Sequence, residues 1–211
     1  MKVFVKSLLI LAFVVSSTAY TQLLRGFGIK GGATMANQTW EYVSIPDLTT
    51  NERWGITGSA FVELLNLPYL SLLVETQYTQ KGMTFSATVA TAQNPDGTGQ
   101  IITKRPRIDY LSIPILAKMR LTTPVVTPYL IAGPRCDFLL TRHGEGFQAV
   151  IDDFKSSELG ATFGAGAELE VALLFEVLIE FRYNANFEDA YKTSFLRVRN
   201  HTLDFMLGVR L

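Results

Sequence analysis

Apolar and polar side chains alternate with a period of two along most of the chain that follows residue 26. Such alternation is typical of β-strands whose two faces lie in different environments. The pattern recurs in eight segments, and the glycine-rich first segment and the fifth are the weakest, so the facing of the fifth stays open. The segments cover about residues 27–35, 54–64, 70–81, 110–120, 129–140, 161–171, 175–184 and 202–211.

Long and short connections alternate between these segments. The long ones are residues 36–51, 82–104, 141–158 and 185–198, and the short ones are centred on 66–68, 122–124 and 172–173. A strand of about ten residues with a rise of ~3.3 Å, tilted by ~40°, crosses the ~25 Å apolar band of an outer membrane. The sequence therefore predicts an all-β fold, an eight-stranded antiparallel up-and-down transmembrane β-barrel with short periplasmic turns and long extracellular loops.

In this interpretation the apolar face of each segment meets lipid and aromatic side chains gather near the segment ends. Aromatic rings favour the two boundaries between hydrocarbon and headgroups, where an amphipathic ring meets both. The predicted membrane-interface aromatics are Trp54, Tyr69, Tyr78, Phe138, Phe175 and Tyr183.

The opposite face carries the charges of the segments and would line the interior. An eight-stranded barrel is so narrow that side chains must fill it, and unpaired ions there would be costly. We therefore expect a polar plug cross-linked by salt bridges and not an open pore. The expected members are Lys30, Glu63, Glu75, Lys81, Lys118, Arg120, Glu168, Glu170, Glu176, Glu180, Arg182, Asp204 and Arg210.

The first nineteen residues have the pattern of a cleaved signal peptide. Lys2 and Lys6 precede an apolar run at residues 8–15, and Ser17 and Ala19 occupy the small-residue positions before a cut. We expect residues 1–19 to be removed, leaving 20–211 as one outer-membrane barrel domain.

Composition argues against several kinds of function. The 19 basic residues match the 19 acidic residues, which is unlike the excess of basic residues in a nucleic-acid-binding protein. With one cysteine, Cys136, and two histidines, we predict no metal, no cofactor and no enzymatic activity. His143 with Asp152 and Asp153 could suggest a hydrolase on the barrel rim, but closeness in sequence is weak support for catalytic geometry.

Four stretches resemble the small outer-membrane β-barrel proteins of Bacteroidetes often labelled PorT-like. They are residues 26–32 (GFGIKGG), 110–118 (YLSIPILAK), 128–134 (PYLIAGP) and 207–211 (LGVRL). The resemblance implies an eight-stranded barrel in the outer membrane of a diderm bacterium, and one branch of that family belongs to a protein-secretion apparatus.

The function class expected from sequence is a membrane-embedded structural or interaction module. Its partners would be outer-membrane lipid, the barrel-assembly machinery during biogenesis, and envelope proteins that contact the long loops, with no nucleic acid. One alternative is a subunit of a secretion or envelope-assembly complex. Another is a secreted lipocalin-type barrel, in which the apolar face would line a ligand cavity and the charged face would meet water.

Overall fold

The computed structural model describes residues 23–42, 50–88, 100–121, 123, 125–144, 154–172, 175–190 and 196–211. Ten strands follow in chain order: β1 (Leu24–Tyr42), β2 (Arg53–Leu64), β3 (Leu70–Gly82), β4 (Phe85–Thr88), β5 (Ile101–Lys104), β6 (Arg107–Arg120), β7 (Val126–His143), β8 (Ser157–Ala172), β9 (Phe175–Asn186) and β10 (Leu196–Arg210).

Eight of these strands close into one antiparallel barrel, which confirms the predicted fold class. Their order around the barrel is β1-β10-β9-β8-β7-β6-β3-β2, and β2 returns to β1. The closing ladder between β1 and β10 runs from Gly28 opposite Arg210 to Tyr42 opposite Leu196. Closure leaves no strand edge unpaired, which a barrel in hydrocarbon requires because lipid cannot hydrogen-bond to the backbone.

The strands are longer than the alternation predicted, and one predicted connection contains structure. The β1–β10 ladder continues past Met35 through Asn37, Gln38 and Thr39, whose polar side chains do not alternate with apolar ones. Residues 82–104, expected to be a loop, include the hairpin β4–β5, a separate two-stranded sheet. Both differences arise because backbone pairing continues where side-chain alternation stops.

The two ends of the barrel differ in the chain segments that they carry. We call the end at which β1 begins and β10 ends the terminal rim, and the other end the distal rim. Residues 65–69, 121–125 and 173–174 connect strands at the terminal rim, and 43–52, 83–106, 144–156 and 187–195 at the distal rim. The predicted signal peptide, residues 1–19, lies outside the described residues, which contain no helix long and apolar enough to cross a membrane.

Glycines on the inner face make room for large side chains from neighbouring strands. A Cβ atom added to Gly166 in β8 would lie 2.4 Å from Cζ of Tyr129, whose ring crosses the space above that glycine. The outward-facing Gly31 has nothing within 4 Å of an added Cβ. The inner glycines therefore allow a narrow barrel to hold large rings and long charged side chains.

Candidate functional site

The two faces of the barrel wall have opposite chemistry. Phe163 and Leu207 point outward and are 52% and 54% exposed, whereas Glu168 and Arg182 point inward and are buried. A lipocalin-type barrel would need the reverse arrangement, with the apolar side chains around a cavity and the charged ones in water. That alternative is therefore wrong for this fold.

The inward side chains of β3 show how the lumen is layered from the terminal rim to the distal rim. In order they are Ser71, Leu73, Glu75, Gln77, Thr79 and Lys81, all buried. At the level of each of these residues, other strands contribute inward side chains of the same chemical kind. The lumen thus contains three ionic clusters, separated by an apolar layer and by a neutral polar layer.

The terminal cluster is the largest of the three. Its members are Arg25, Glu63, Lys118, Arg120, Glu168, Glu176 and Arg210.

Glu63 is the centre of the terminal cluster. Its Oε1 accepts hydrogen bonds from Arg25 at 2.8 Å and from Arg120 at 3.1 Å. Its Oε2 accepts from Lys118 at 3.0 Å and from Arg210 at 2.7 Å. Each oxygen of this fully buried carboxylate therefore has two cationic donors, and charge-assisted bonds of this kind are about twice as strong as neutral ones.

The other carboxylates of this cluster extend it toward the rim. Glu168 pairs with Lys118, with Arg210 at 2.7 Å and with Arg25 at 3.2 Å. Glu176, which is half-buried, pairs with Arg210. Arg25 was not among the expected members, because the register of β1 shifts between Leu24 and Gly26 and a period of two does not reveal its inward direction.

Glu170 departs from the expected network. It lies opposite Glu176 in the β8–β9 ladder, where the barrel wall ends, and it is exposed. It lines an open recess of about 290 Å³ at the terminal rim, together with Thr127 and Arg25. Its side chain lies on the inward-facing side of β8, as expected, but the barrel wall ends there and water screens its charge.

The middle cluster contains Lys30, Glu75, Glu180, Arg182 and the hydroxyl of Tyr129. Arg182 donates two parallel bonds to Glu75, at 2.8 and 2.7 Å, and also pairs with Glu180. Lys30 lies 2.8 Å from Glu75 and 3.0 Å from Glu180, and Tyr129 donates to Glu180 at 2.7 Å. Two cations balance two anions here. The bidentate geometry helps to offset the high cost of burying ions.

Asp204 lies in the neutral layer, and its environment differs from the salt bridge that the sequence suggested. It accepts hydrogen bonds from Thr34 at 2.6 Å, Gln77 at 2.9 Å and Asn184 at 2.8 Å. Its register partner on β9 is Arg182, but that guanidinium is directed to the middle cluster. Within the described part of the chain Asp204 forms no salt bridge, so its charge is held by neutral donors alone.

Apart from Lys81, the members of the distal cluster were missed at the sequence level. Asp137 pairs with Lys81 at 2.5 Å and with Arg135 at 2.7 Å, and Arg135 also donates to Ser112 at 2.8 Å. Glu158 accepts bonds from the side chains of Tyr110, Asn186 and Asn200. The facing of β7, left open by the sequence, is therefore settled with Arg135 and Asp137 inside and Cys136 outside.

An apolar cluster fills the lumen between the distal cluster and the distal rim. We call it the seal, and it consists of Trp40, Met83, Phe85, Ile108, Tyr110, Phe154, Ala190 and Val198. Phe85 belongs to the hairpin strand β4, so the hairpin contributes a side chain to the barrel interior. The rings of Trp40 and Phe154 lie 6.4 Å apart. The seal excludes water from the end of the lumen that faces the longer connections.

Aromatic rings also cover the lumen lysines. The ammonium nitrogen of Lys30 lies 4.7 Å from the ring centre of Phe61, and that of Lys118 lies 4.3 Å from the ring centre of Tyr129. Cation–π contacts at desolvated sites contribute up to about 2 kcal/mol each. They give these ammonium groups favourable contacts in addition to their carboxylates.

The six predicted interface aromatics all lie on the outer surface. Tyr69 and Phe175 are exposed at the terminal rim. Trp54, Phe138 and Tyr183 are exposed in the distal halves of their strands, and Tyr78 there is half-buried. Their positions form two sets, one near each rim.

The groups considered for other chemistry do not form a site among the described residues. No group of three or more His, Cys, Asp or Glu side chains that could hold a metal ion occurs in that part of the chain. His143 faces outward at the distal rim beside Arg107, at 3.2 to 3.3 Å. Asp152 and Asp153 lie outside the described residues.

Comparison with known proteins gives a family match and several solved barrels with low sequence identity. A family model described as "Outer membrane protein beta-barrel domain" matches residues 20–192. Neisserial surface protein A is 17% identical, with 88% of this chain and 96% of that chain covered and a TM-score of 0.47. No curated protein matches the chain.

Two further solved barrels are similar to this chain at low sequence identity. OprG from Pseudomonas aeruginosa is 11% identical over 88% of this chain and 95% of that one, with a TM-score of 0.49. The outer membrane protease OmpT from Escherichia coli is 10% identical over 93% and 99%, with a TM-score of 0.46. The family match does not test the absence of enzymatic activity, which stays a prediction.

Proposed function

Because the chain belongs to the outer membrane protein beta-barrel domain family, we propose that it is a closed, membrane-embedded structural or interaction module whose lumen is a salt-bridged polar plug. Its working surface is then the distal rim and not a pore. The observation that carries this proposal is the charge balance of the lumen.

Apart from Arg142 at the distal rim and the exposed Glu170 at the terminal rim, eight cationic and eight anionic side chains occupy the lumen of the described barrel. The cations are Arg25, Lys30, Lys81, Lys118, Arg120, Arg135, Arg182 and Arg210, and the anions are Glu63, Glu75, Asp137, Glu158, Glu168, Glu176, Glu180 and Asp204. An ion crossing the barrel would have to separate pairs that are held in a low dielectric, where an uncompensated charge is costly.

The seal adds a second barrier in series with the plug. A hydrated ion cannot enter an apolar cluster without losing water that nothing there replaces. Loss of either barrier alone should therefore leave the barrel closed.

Planar-bilayer recording tests the closed lumen. We expect the wild-type protein to give no stable conductance steps. The Phe154→Ala variant, which opens the seal alone, should also give none because the ionic clusters remain. Stable, large steps from the wild-type protein, in preparations that show the folded gel mobility, would overturn the proposal.

We further propose that residues 1–19 direct export and that the distal rim faces the cell exterior. The distal rim would then present residues 43–52, 83–106, 144–156 and 187–195 to envelope partners, while the barrel-assembly machinery inserts the chain. Protease added to intact cells should cut only within these segments. Cleavage confined to 65–69, 121–125 or 173–174 would show the reverse orientation.

A role in a secretion or envelope-assembly complex, as the PorT-like resemblance implies, would use the same rim. It predicts that the detergent-solubilised protein retains a defined set of secretion-machinery subunits after affinity purification from its native envelope. Recovery of the barrel without those subunits would count against this role and leave the closed-module proposal unaffected.

A further inference from the structure

The outward face of the distal rim carries a set of basic side chains above the interface aromatics. Ile108 and Val198 point into the seal, so their neighbours in β6 and β10 point outward. The outward basic side chains there, which we call the basic band, are Arg107, His143, Arg197, Arg199 and His201.

Arg107 and Arg199 have carboxylate neighbours but remain accessible. Arg107 lies within 3.3 Å of both ring nitrogens of His143, its register partner on β7, and its Nε is 3.2 Å from Asp109. Arg199 is half-exposed, and its Nε is 3.6 Å from Asp189. The side chain of Arg107 is 32% exposed and that of Arg199 is 51% exposed.

Both arginines lie at the same height on the barrel wall. Arg107 precedes the outward Leu111 by four residues, and Arg199 precedes the outward Leu203 by four. With a rise of ~3.3 Å and a tilt of ~40°, each Cα atom is about 10 Å beyond the last outward apolar side chain of its strand. A flexible arginine side chain at that height reaches the headgroups of a bilayer whose hydrocarbon ends near the aromatic rings.

The terminal rim has no counterpart among the described residues. Its four basic side chains, Arg25, Lys118, Arg120 and Arg210, all point inward and bind carboxylates. The outer surface there is apolar, with Leu121, Leu70 and Phe175 exposed. The positive charge that faces the membrane is thus confined to one boundary.

From this one-sided distribution we propose that the basic band binds the phosphate groups of anionic lipids in the leaflet at the distal rim. Guanidinium matches phosphate with two parallel hydrogen bonds, and His143 lies beside Arg107 to share the same oxygens. A basic side chain near an anionic membrane surface contributes about a fivefold gain in association. This inference needs only that the barrel is embedded, and a conducting lumen would not affect it.

Lipid selectivity tests the band directly. The folded protein is reconstituted in phosphatidylcholine bilayers, and the association of spin-labelled phosphatidylglycerol is compared with that of spin-labelled phosphatidylcholine. We expect the wild-type protein to favour phosphatidylglycerol at least about fivefold. The variant Arg107→Gln/Arg199→Gln should lower that preference toward equality.

Arg142→Gln is the matched control. Arg142 is a basic residue of the same rim, but its side chain donates inward to the carbonyl of Phe154. Each variant is used only after it shows the gel mobility of the folded barrel. Equal preference in wild type and double variant, or an equal loss in the control, would overturn the proposal. So would displacement of phosphatidylglycerol by millimolar inorganic phosphate, which would indicate a site for free phosphate.

Discussion

Removal of Arg182 should be among the most damaging single changes in the lumen. The Arg182→Met variant keeps most of the side-chain volume but leaves Lys30 as the one cation between Glu75 and Glu180, so one negative charge is uncompensated. Breaking a buried ion pair by removing one partner costs about 3–5 kcal/mol. We expect the free energy of unfolding to fall by that amount.

Charge balance, and not the loss of one contact, is the reason for that cost. Glu75→Gln alone leaves Arg182 and Lys30 to share Glu180, so it should also destabilise the barrel by about 3 kcal/mol. In the double variant Arg182→Met/Glu75→Gln, Lys30 and Glu180 again balance each other. The double variant should therefore be more stable than the sum of the single effects by at least about 2 kcal/mol.

The measurement is urea unfolding of the protein reconstituted in short-chain lipid vesicles. Emission from the two tryptophans reports unfolding, because Trp54 is on the outer surface and Trp40 is in the seal. Gel mobility without heating gives an independent probe. Glu170→Gln removes an exposed carboxylate and should stay within about 0.5 kcal/mol of wild type. Additive single effects, or a cost below about 1 kcal/mol for Arg182→Met, would refute the reasoning.

Three further changes separate the layers of the structure. Asp204→Asn removes a negative charge that has no cationic partner, and it can keep all three hydrogen bonds if the Thr34 hydroxyl becomes an acceptor. Urea unfolding should therefore show unchanged or higher stability, and a clear loss would contradict this account. Gly166→Ala should lower the free energy of unfolding by about 1–3 kcal/mol, because the added Cβ atom overpacks the space that Tyr129 fills. Gly31→Ala, where nothing lies near an added Cβ atom, should change it little, and equal costs would contradict this packing. Ala165 points outward in the middle of β8, so Ala165→Arg should lower the free energy of unfolding in a bilayer by about 2–4 kcal/mol. Thr141→Arg, at the distal rim, should lower it by about 0–1 kcal/mol, and the reverse order would show that the membrane lies at another height on the barrel.

The barrel wall could be predicted from the sequence because lipid and lumen impose opposite demands on alternate residues. Phe163 and Arg182 fall on the expected sides because neither could exchange environments without burying a charge in lipid or exposing a ring to the ion pairs. The strand ends cannot be predicted in this way, because the outer face there lies beyond the hydrocarbon and can be polar. There Asn37 to Thr39 continue the ladder with polar side chains on both faces.

Pairing within the lumen could not be predicted, because alternation gives the facing of a residue but not its neighbours around the barrel. Asp204 faces inward as expected, yet its opposite neighbour Arg182 turns to Glu75. Arg135 and Asp137 lie two residues apart on a strand diluted by proline and glycine, so their shared inward facing had no clear signal. Only the register between strands determines which carboxylate each cation reaches.

The layering of the lumen has an electrostatic consequence for how the barrel is built. Leu73 and Leu178 separate the terminal cluster from the middle one, which lowers the dielectric around both and strengthens the pairs within each. The two cations and two anions of the middle cluster balance without help from elsewhere, whereas the terminal cluster has four cations for three carboxylates and Asp204 has no cation. The excess charges are therefore opposite and lie on either side of a neutral cluster. The neutral cluster keeps these charges apart, so hydrogen bonds from neutral donors, and not the terminal cations, hold Asp204 in place.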